Sequence, residues 1–285
     1  MGECSGNCGS CCGSCGGDKK SPLLDIKHKL FVLSGKGGVG KSTVAASLAI
    51  LLAKAGKKVA LLDVDFHGPS QPTIFGMKDI RLNGSELGII PAEKYGVKVV
   101  SIGLLMENED DAVIWRGPAK IGVLKQLLEE VDWGGDLDYL VLDFPPGTGD
   151  EVLSACQTIP GDKRAVMVTT PQEVSLADCR KCVDFCRQVE VPVAGVVENM
   201  SYFVCPNCNE KHEIFLNGGG AALAAANGVK VLARLPLDPK FLASCDAGKI
   251  ADGIEANPVL KSELETAAAE LIRTEQENPA PCCCN

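Results

Sequence analysis

The segment Gly35-Lys36-Gly37-Gly38-Val39-Gly40-Lys41-Ser42 has the residue types and spacing to hold a polyphosphate. Glycines there let backbone N–H groups turn inward around phosphate oxygens, where side chains would block the approach. Lys41 would bring positive charge to the β- and γ-phosphates of ATP, and the Ser42 hydroxyl would meet the accompanying Mg2+. With Thr43 the expected nucleotide contact runs from Gly35 to Thr43. Carboxylates arrive where such a site needs them. Leu61-Leu62-Asp63-Val64-Asp65 and Leu140-Val141-Leu142-Asp143 are apolar runs that end in acid. An acid so placed is costly unless it faces a polar site, so a cation or a positioned water is its expected partner. Phe144-Pro145-Pro146-Gly147-Thr148-Gly149-Asp150 then reads as a loop able to sense the γ-phosphate.

Cysteine supplies a second chemistry. The chain has 15 cysteines, unusual for an intracellular nucleotide-binding core and more consistent there with metal or redox chemistry than with disulfides. Cys205-Pro206-Asn207-Cys208 presents two thiolates to one metal, whereas a closed tetrahedral or cluster site takes four ligands. His212 offers a third ligand, and a two-fold axis would supply a second pair from another copy. A redox-active dithiol and a mononuclear zinc site are the competing readings. Cys179, Cys182 and Cys186 recur at helical spacing and are expected to pack as a buried stripe, with Cys156 and Cys245 also in packing roles.

The elements that must position these groups alternate between strand and helix. Strands are expected at 30–33, 59–62, 97–102, 139–142, 165–168, 193–197 and 231–235, mostly as continuous apolar runs typical of strands buried on both faces. Helices are expected at 41–55, 119–130, 150–157, 173–188, 220–226 and 258–274, the last with Leu260, Leu264, Ala267 and Leu271 on one stripe. This pattern predicts an α/β fold, a doubly wound and mostly parallel sheet with helices on both faces. Its ligand belongs at the carboxyl ends of the strands, where the motifs fall. The ATPase domain is expected over 23–275. Residues 1–22 are rich in Gly, Ser and Cys with almost no apolar side chains, and 276–285 is a second cysteine-bearing tail.

A formal charge of -9 argues against nucleic acid as the main partner. No stretch reaches the roughly 18 apolar residues of a membrane span, and neither a secretory signal nor a lipidation box is apparent, so the expectation is a cytoplasmic protein.

The loop Lys36-Gly37-Gly38-Val39-Gly40-Lys41-Ser42-Thr43 resembles the deviant Walker A loop of the MinD/ParA/nitrogenase-iron-protein class. The resemblance implies that Lys36 reaches the phosphates of a partner subunit in a homodimer. Asp143 resembles the Walker B acid that holds Mg2+, and Asp65 the acid that orients the attacking water, with Asp63 as its support. Asp63-Val64-Asp65-Phe66-His67-Gly68-Pro69-Ser70, Trp115-Arg116-Gly117-Pro118, the segment Asp143 to Asp150, Thr169-Thr170-Pro171-Gln172-Glu173, Glu198-Asn199-Met200-Ser201 and Cys205-Pro206-Asn207-Cys208 follow in order. Together they resemble the Mrp/ApbC family of iron–sulfur cluster carrier ATPases, over about residues 28 to 250.

That resemblance implies a [4Fe-4S] cluster held between two subunits by Cys205 and Cys208, and an adenine edge read by Asn199 beside Pro236-Leu237-Asp238-Pro239. Cys4, Cys8, Cys11 and Cys15, with Cys12 as a substitute, are expected to hold a second cluster; the alternative is a tail that scavenges metal. Cys282, Cys283 and Cys284 match no ligand pattern. The implied function is ATP-dependent assembly of a cluster and its delivery to apo-proteins, with a related hetero-partner also compatible. A membrane- or DNA-positioning ATPase is the first rival, disfavoured by the acidic C-terminal helix. An electron-transfer ATPase is the second, disfavoured by the closeness of Cys205 to Cys208.

Overall fold

The computed structural model describes residues 23, 26–85, 88–106, 117–215 and 218–277. The cysteines at 4–15 and 282–284, together with Trp115 and Arg116, lie outside these residues. In chain order the strands are β1 (His28–Leu33), β2 (Val59–Asp63), β3 (Gly84–Ser85), β4 (Gly88–Ile89), β5 (Ala92–Lys94), β6 (Val97–Ser101), β7 (Tyr139–Asp143), β8 (Asp162–Thr169), β9 (Val193–Val204), β10 (Lys211–His212) and β11 (Val231–Pro236). The helices are α1 (Lys41–Lys54), α2 (Gln71–Ile74), α3 (Gly117–Glu129), α4 (Asp150–Thr158), α5 (Glu173–Gln188), α6 (Gly219–Ala226), α7 (Pro239–Asp246), α8 (Ile250–Ala256) and α9 (Pro258–Glu277).

Each of the apolar runs expected as a strand is one. They form a parallel sheet in the order β11-β9-β8-β1-β7-β2-β6, with β5 antiparallel on β6 and β10 antiparallel on the far end of β9. Continuous apolar runs suit this arrangement because successive side chains point to opposite faces and both faces are covered. Leu30 and Val32 pack with α1, α8 and α9 on one face. Phe31 and Leu33, one residue out of step, pack with α3, α4, α5 and α6 on the other. The stripe Leu260, Leu264, Ala267 and Leu271 of α9 is buried, as its spacing requires.

The chain after β1 crosses to β2 on one side, whereas β8 lies on the other side of β1. That reversal opens a crevice at the carboxyl end of β1, which is where the P-loop sits. Helices α2, α7 and α8 and strand β10 were not expected from sequence. They are short, between two and eight residues, and give periodicity little length to register. Strand β9 runs seven residues past the expected Val197, through the polar segment Glu198 to Ser201.

At the opposite end of the strands, the start of β1 is tied to the last helix. His28 Nδ1 lies 2.7 Å from Asp162 Oδ2, Arg164 Nε donates to Asp162 Oδ1 at 3.2 Å, and Arg164 Nη1 donates to the Thr274 carbonyl at 3.1 Å. Burial raises the Asp162 carboxyl, but the His28 hydrogen bond and the charge of Arg164 outweigh it and hold the pKa below the usual aspartate value. A lowered carboxyl pKa contributes stability that is complete above the unfolded value, about 4. That contribution fades as pH falls through the folded value. Asp162→Asn is expected to cost about 1–3 kcal/mol at neutral pH, with a shrinking penalty below about pH 4. Urea unfolding of both proteins across pH 3 to 8 would check this; a pH-independent difference would refute it.

Candidate functional site

Helix α1 begins without a side-chain cap. Its N-cap, Gly40, has φ 81° and ψ 23°, and no acid occupies the first turn. The first amides of an α-helix have no partner within it, so this end offers N–H donors and the positive end of the helix dipole. A cavity of about 610 Å3 opens on them, lined by the loop from Lys36 to Thr43 together with Asp65, Pro146 and residues of α7. Gly35 lies against the backbone of Asp178 and Cys179, so close that a Cβ could not fit. That contact seats the start of the loop on α5. Lys36 is exposed on the loop, whereas Lys41 is buried.

The acids expected to serve the nucleotide converge beneath the loop. Asp143, at the end of β7, is fully buried and pairs with the Lys41 ammonium. The Lys41 ammonium also lies 3.3 Å from Ser42 Oγ. Asp63, at the end of β2, is likewise fully buried and accepts hydrogen bonds from Asp65 N, Gln71 N and Ser101 Oγ at 3.2, 3.2 and 3.1 Å. Burial, and after it the charge of Asp143, pushes the Asp63 carboxyl up to about 8. Asp63 therefore holds the following loop in shape, and Asp65, half-buried, is the member of the pair that borders the cavity, which Asp246 of α7 also lines.

Gln71 was not singled out in the sequence. Its Nε2 donates to Asp143 Oδ2 at 2.8 Å and to the Ser42 carbonyl at 3.0 Å, joining the loop after β2 to β7 and the P-loop. The available signal was Pro72 behind it, which marks a helix start.

Asn199 Nδ2 donates to the Val39 carbonyl at 2.9 Å, so β9 touches the phosphate loop directly. Asn199 lines a narrow cleft with Gly40, Thr43, Pro236, Leu237 and Asp238, so three of the four residues expected beside it share the cleft and Pro239 does not line it. The next residue, Met200, has φ 54°, a left-handed kink at which the strand continues out of regular register. Glu198 is buried and accepts from Gly220 N at 2.6 Å and Arg234 Nε at 3.2 Å, which explains how polar residues continue the strand.

Beyond Val204 the strand turns into β10, and the Cys205–Cys208 turn is the tip of that hairpin. Asn209 N donates to the Cys205 carbonyl at 2.9 Å, and Cys205 N to the Glu210 carbonyl at 3.0 Å. The ligand atoms of Cys205, Cys208 and His212 all lie within 4.8 Å of one another. Backbone hydrogen bonds from Asn207 and Cys208 hold the Cys205 thiol below the usual cysteine value, which favours the thiolate.

The other described cysteines are different. Cys179, Cys182 and Cys186 are buried along α5, as are Cys156 and Cys245. Burial pushes Cys182, Cys186 and Cys245 up to about 12 and Cys156 to about 11. These thiols pack, as expected, although Cys245 also borders the nucleotide cavity.

Gly40→Ala tests the loop. A new Cβ would collide with the Asn199 side-chain nitrogen at a backbone angle that L-residues rarely adopt. A protein that still folds should bind ADP at least about tenfold more weakly, corresponding to about 1.4 kcal/mol. Calorimetric titration would measure it; unchanged affinity would show that the loop is not a phosphate cradle.

Comparison with known proteins agrees with this geometry. The family model described as a NUBPL iron-transfer P-loop NTPase, of the ParA group, matches residues 25–272. An iron–sulfur cluster carrier protein of Aquifex aeolicus is 49% identical over 232 residues, which is 81% of this chain and 63% of that protein's length. This chain thus spans less than two thirds of that relative. A cytosolic Fe-S cluster assembly factor NUBP2 homolog of Trichoplax adhaerens is 48% identical over 255 residues, covering 87% of this chain and 94% of its own. Among solved structures, the nucleotide-binding protein of Archaeoglobus fulgidus in complex with ADP superposes with a TM-score of 0.72 at 39% identity, covering 84% of this chain and 93% of its own. The phosphate loop, the acids at the strand ends and the extent of these matches show that the chain belongs to the NUBPL iron-transfer P-loop NTPase family.

Proposed function

We propose that this chain is an ATP-dependent carrier that accepts an iron–sulfur cluster as cargo and delivers it to apo-proteins. One observation carries the reading: a single strand joins the two chemistries. Asn199 of β9 is hydrogen-bonded to the P-loop, and the same strand ends in the hairpin of Cys205, Cys208 and His212. The named relatives, a cluster carrier and a cytosolic assembly factor, support the cargo and the cytosol as the compartment. Among the described residues, no helix is long and apolar enough to cross a membrane.

In this reading Cys205 and Cys208 are half of a four-thiolate [4Fe-4S] site, and a second copy supplies the rest across a two-fold axis. Exposed Lys36 would reach the partner's phosphates. Lys41 and the N-terminal amides of α1 would hold the β- and γ-phosphates, and Asn199 the adenine edge. Asp65 would align the water that attacks the γ-phosphorus as the bond to the β-phosphate oxygen breaks. The donor set around Ser42 suits a hard divalent cation, since the Ser42 hydroxyl and the Asp143 carboxylate are hard oxygen donors that meet on the same Lys41 ammonium. Bound Mg2+ would neutralise charge on the β- and γ-phosphates, held by Ser42 and Asp143. Loss of the γ-phosphate would loosen the paired P-loops, and β9 would pass that change to the hairpin.

The N-terminal cysteines Cys4, Cys8, Cys11 and Cys15, with Cys12 as substitute, would form a separate site. A second reading is a mononuclear site of Cys205, Cys208 and His212, favoured by the proximity of these three ligand atoms.

Anaerobic reconstitution with iron and sulfide separates these readings. Cys205→Ala is expected to lose the bridging cluster and the cluster-dependent dimer, and to fail in transfer to an apo-ferredoxin. His212→Ala is expected to retain both. Normal cluster content and transfer by Cys205→Ala would refute the carrier reading, and a metal bound without sulfide would favour the mononuclear one. Lys41→Ala should lower ATP hydrolysis at least about 100-fold, by loss of the charge that stabilises the transferring phosphoryl group.

A further inference from the structure

Strand β9 carries a bulge where it passes the phosphate loop. Between the pairs Glu198–Arg234 and Tyr202–Pro236, β9 advances four residues while β11 advances two. Asn199, Met200 and Ser201 therefore stand opposite Leu235 alone, just past the last pair with β8, Thr169–Glu198. Successive side chains of a regular strand point to opposite faces. Here Asn199 and Met200 are consecutive, yet both line the cleft beside Gly40 and Thr43. Met200, at φ 54°, lies in the left-handed region, which a side chain occupies only when its surroundings hold it there. Bulges of this kind re-aim side chains.

Three side chains close the bulge. Ser201 Oγ donates to Glu198 Oε1, bridging the two residues between them. Arg234 Nε, from β11, reaches both, 3.2 Å from Glu198 Oε1 and 3.1 Å from Ser201 Oγ. Glu198 Oε2 accepts from Gly220 N at 2.6 Å, in the first turn of α6. Glu198 and Ser201 are both buried. At Asn199 the consequence is a fixed amide. Its Nδ2 donates to the Val39 carbonyl at 2.9 Å, which identifies the nitrogen and leaves its second N–H and the amide oxygen for a ligand. That pair complements the amino group and adjacent ring nitrogen of adenine, and mismatches a purine with a carbonyl at the same position.

We propose that Glu198 is a positioning residue for base recognition: with Ser201 and Arg234 it clamps the β9 bulge that aims Asn199 and Met200 into the base cleft. The cleft measures about 30 Å3, room for about one water, so it must widen to admit a base. The clamp keeps Asn199 in register with Val39 while other side chains of the cleft give way. Glu198 lines neither the cleft nor the phosphate cavity, so it acts through Asn199. The inference rests on the reading of Asn199 as the residue at the adenine edge, and adds to it the device that holds that residue in place.

Calorimetric titration of the full chain with ADP, inosine diphosphate and inorganic pyrophosphate separates base from phosphate. Wild type is expected to prefer ADP over inosine diphosphate at least about tenfold, the scale of a mispaired hydrogen bond. Glu198→Gln keeps the volume and replaces one acceptor oxygen by an amide nitrogen that cannot accept. Ser201→Ala serves if that variant does not fold, with thermal unfolding as the check. In the folded variant ADP should bind at least about fivefold more weakly and its preference should fall below about threefold, while pyrophosphate affinity stays within about twofold of wild type. A wild-type ADP preference in the folded variant would overturn the assignment. So would an equal weakening of all three ligands, which marks a purely structural role. Equal binding of ADP and inosine diphosphate by wild type would instead remove the adenine reading of Asn199, and the inference with it.

Discussion

The ion pair between Lys41 and Asp143 is the contact around which the site is assembled. Both side chains are buried, and a buried pair is expensive in desolvation unless further hydrogen bonds satisfy each partner. Here such bonds are present: Gln71 donates to Asp143, and Ser42 lies beside Lys41. The pair ties the first turn of α1 to the end of β7, next to β1 in the sheet. Replacing it with apolar residues would cost the fold little by this reasoning and would remove the charges that a polyphosphate and its cation need. The arrangement is therefore better understood as held for chemistry than for stability.

A second constraint is the length of β9. A strand ending at Val197 would leave the cysteine turn with no fixed relation to the nucleotide. The segment Glu198 to Ser201 continues the strand because Glu198 finds hydrogen bonds from Gly220 and Arg234, so a buried charge is compensated where an apolar residue would ordinarily sit. Asn199 can then reach Val39, while the strand goes on to the hairpin. Strand β9 therefore runs from a contact with the phosphate loop to the cysteine hairpin, and it is the element that the proposed coupling would use.

Burial divides the cysteines more sharply than spacing does. Cys182 and Cys186 on α5 are held as neutral thiols by the apolar face they pack against, whereas Cys205, at a hairpin tip with backbone donors around it, is held toward the thiolate. One chain thus uses the same side chain as a small hydrophobe and as a thiol poised toward the thiolate, and the difference is solvent and hydrogen bonding rather than sequence pattern.

The sequence by itself determined the phosphate loop, the acids that end two apolar runs, the cysteine pair and the alternation that forces a parallel sheet. These are local in the chain: glycine spacing, a continuous buried strand and a helical stripe each leave a signature within about a dozen residues. The resemblance already implied Asp63 as the support of Asp65; only the tertiary structure decided the contacts, with Asp143 meeting Lys41 while Asp63 accepts from Asp65, Gln71 and Ser101, since both acids end similar strands and differ in what the sheet order places beside them. It also brought in Gln71, whose partners lie 29 and 72 residues away in the chain. The same holds for the continuation of β9, because the groups that satisfy Glu198 come from α6 and β11. Polar residues carry no periodicity that names their partners, so their roles become visible only when the strands are laid side by side.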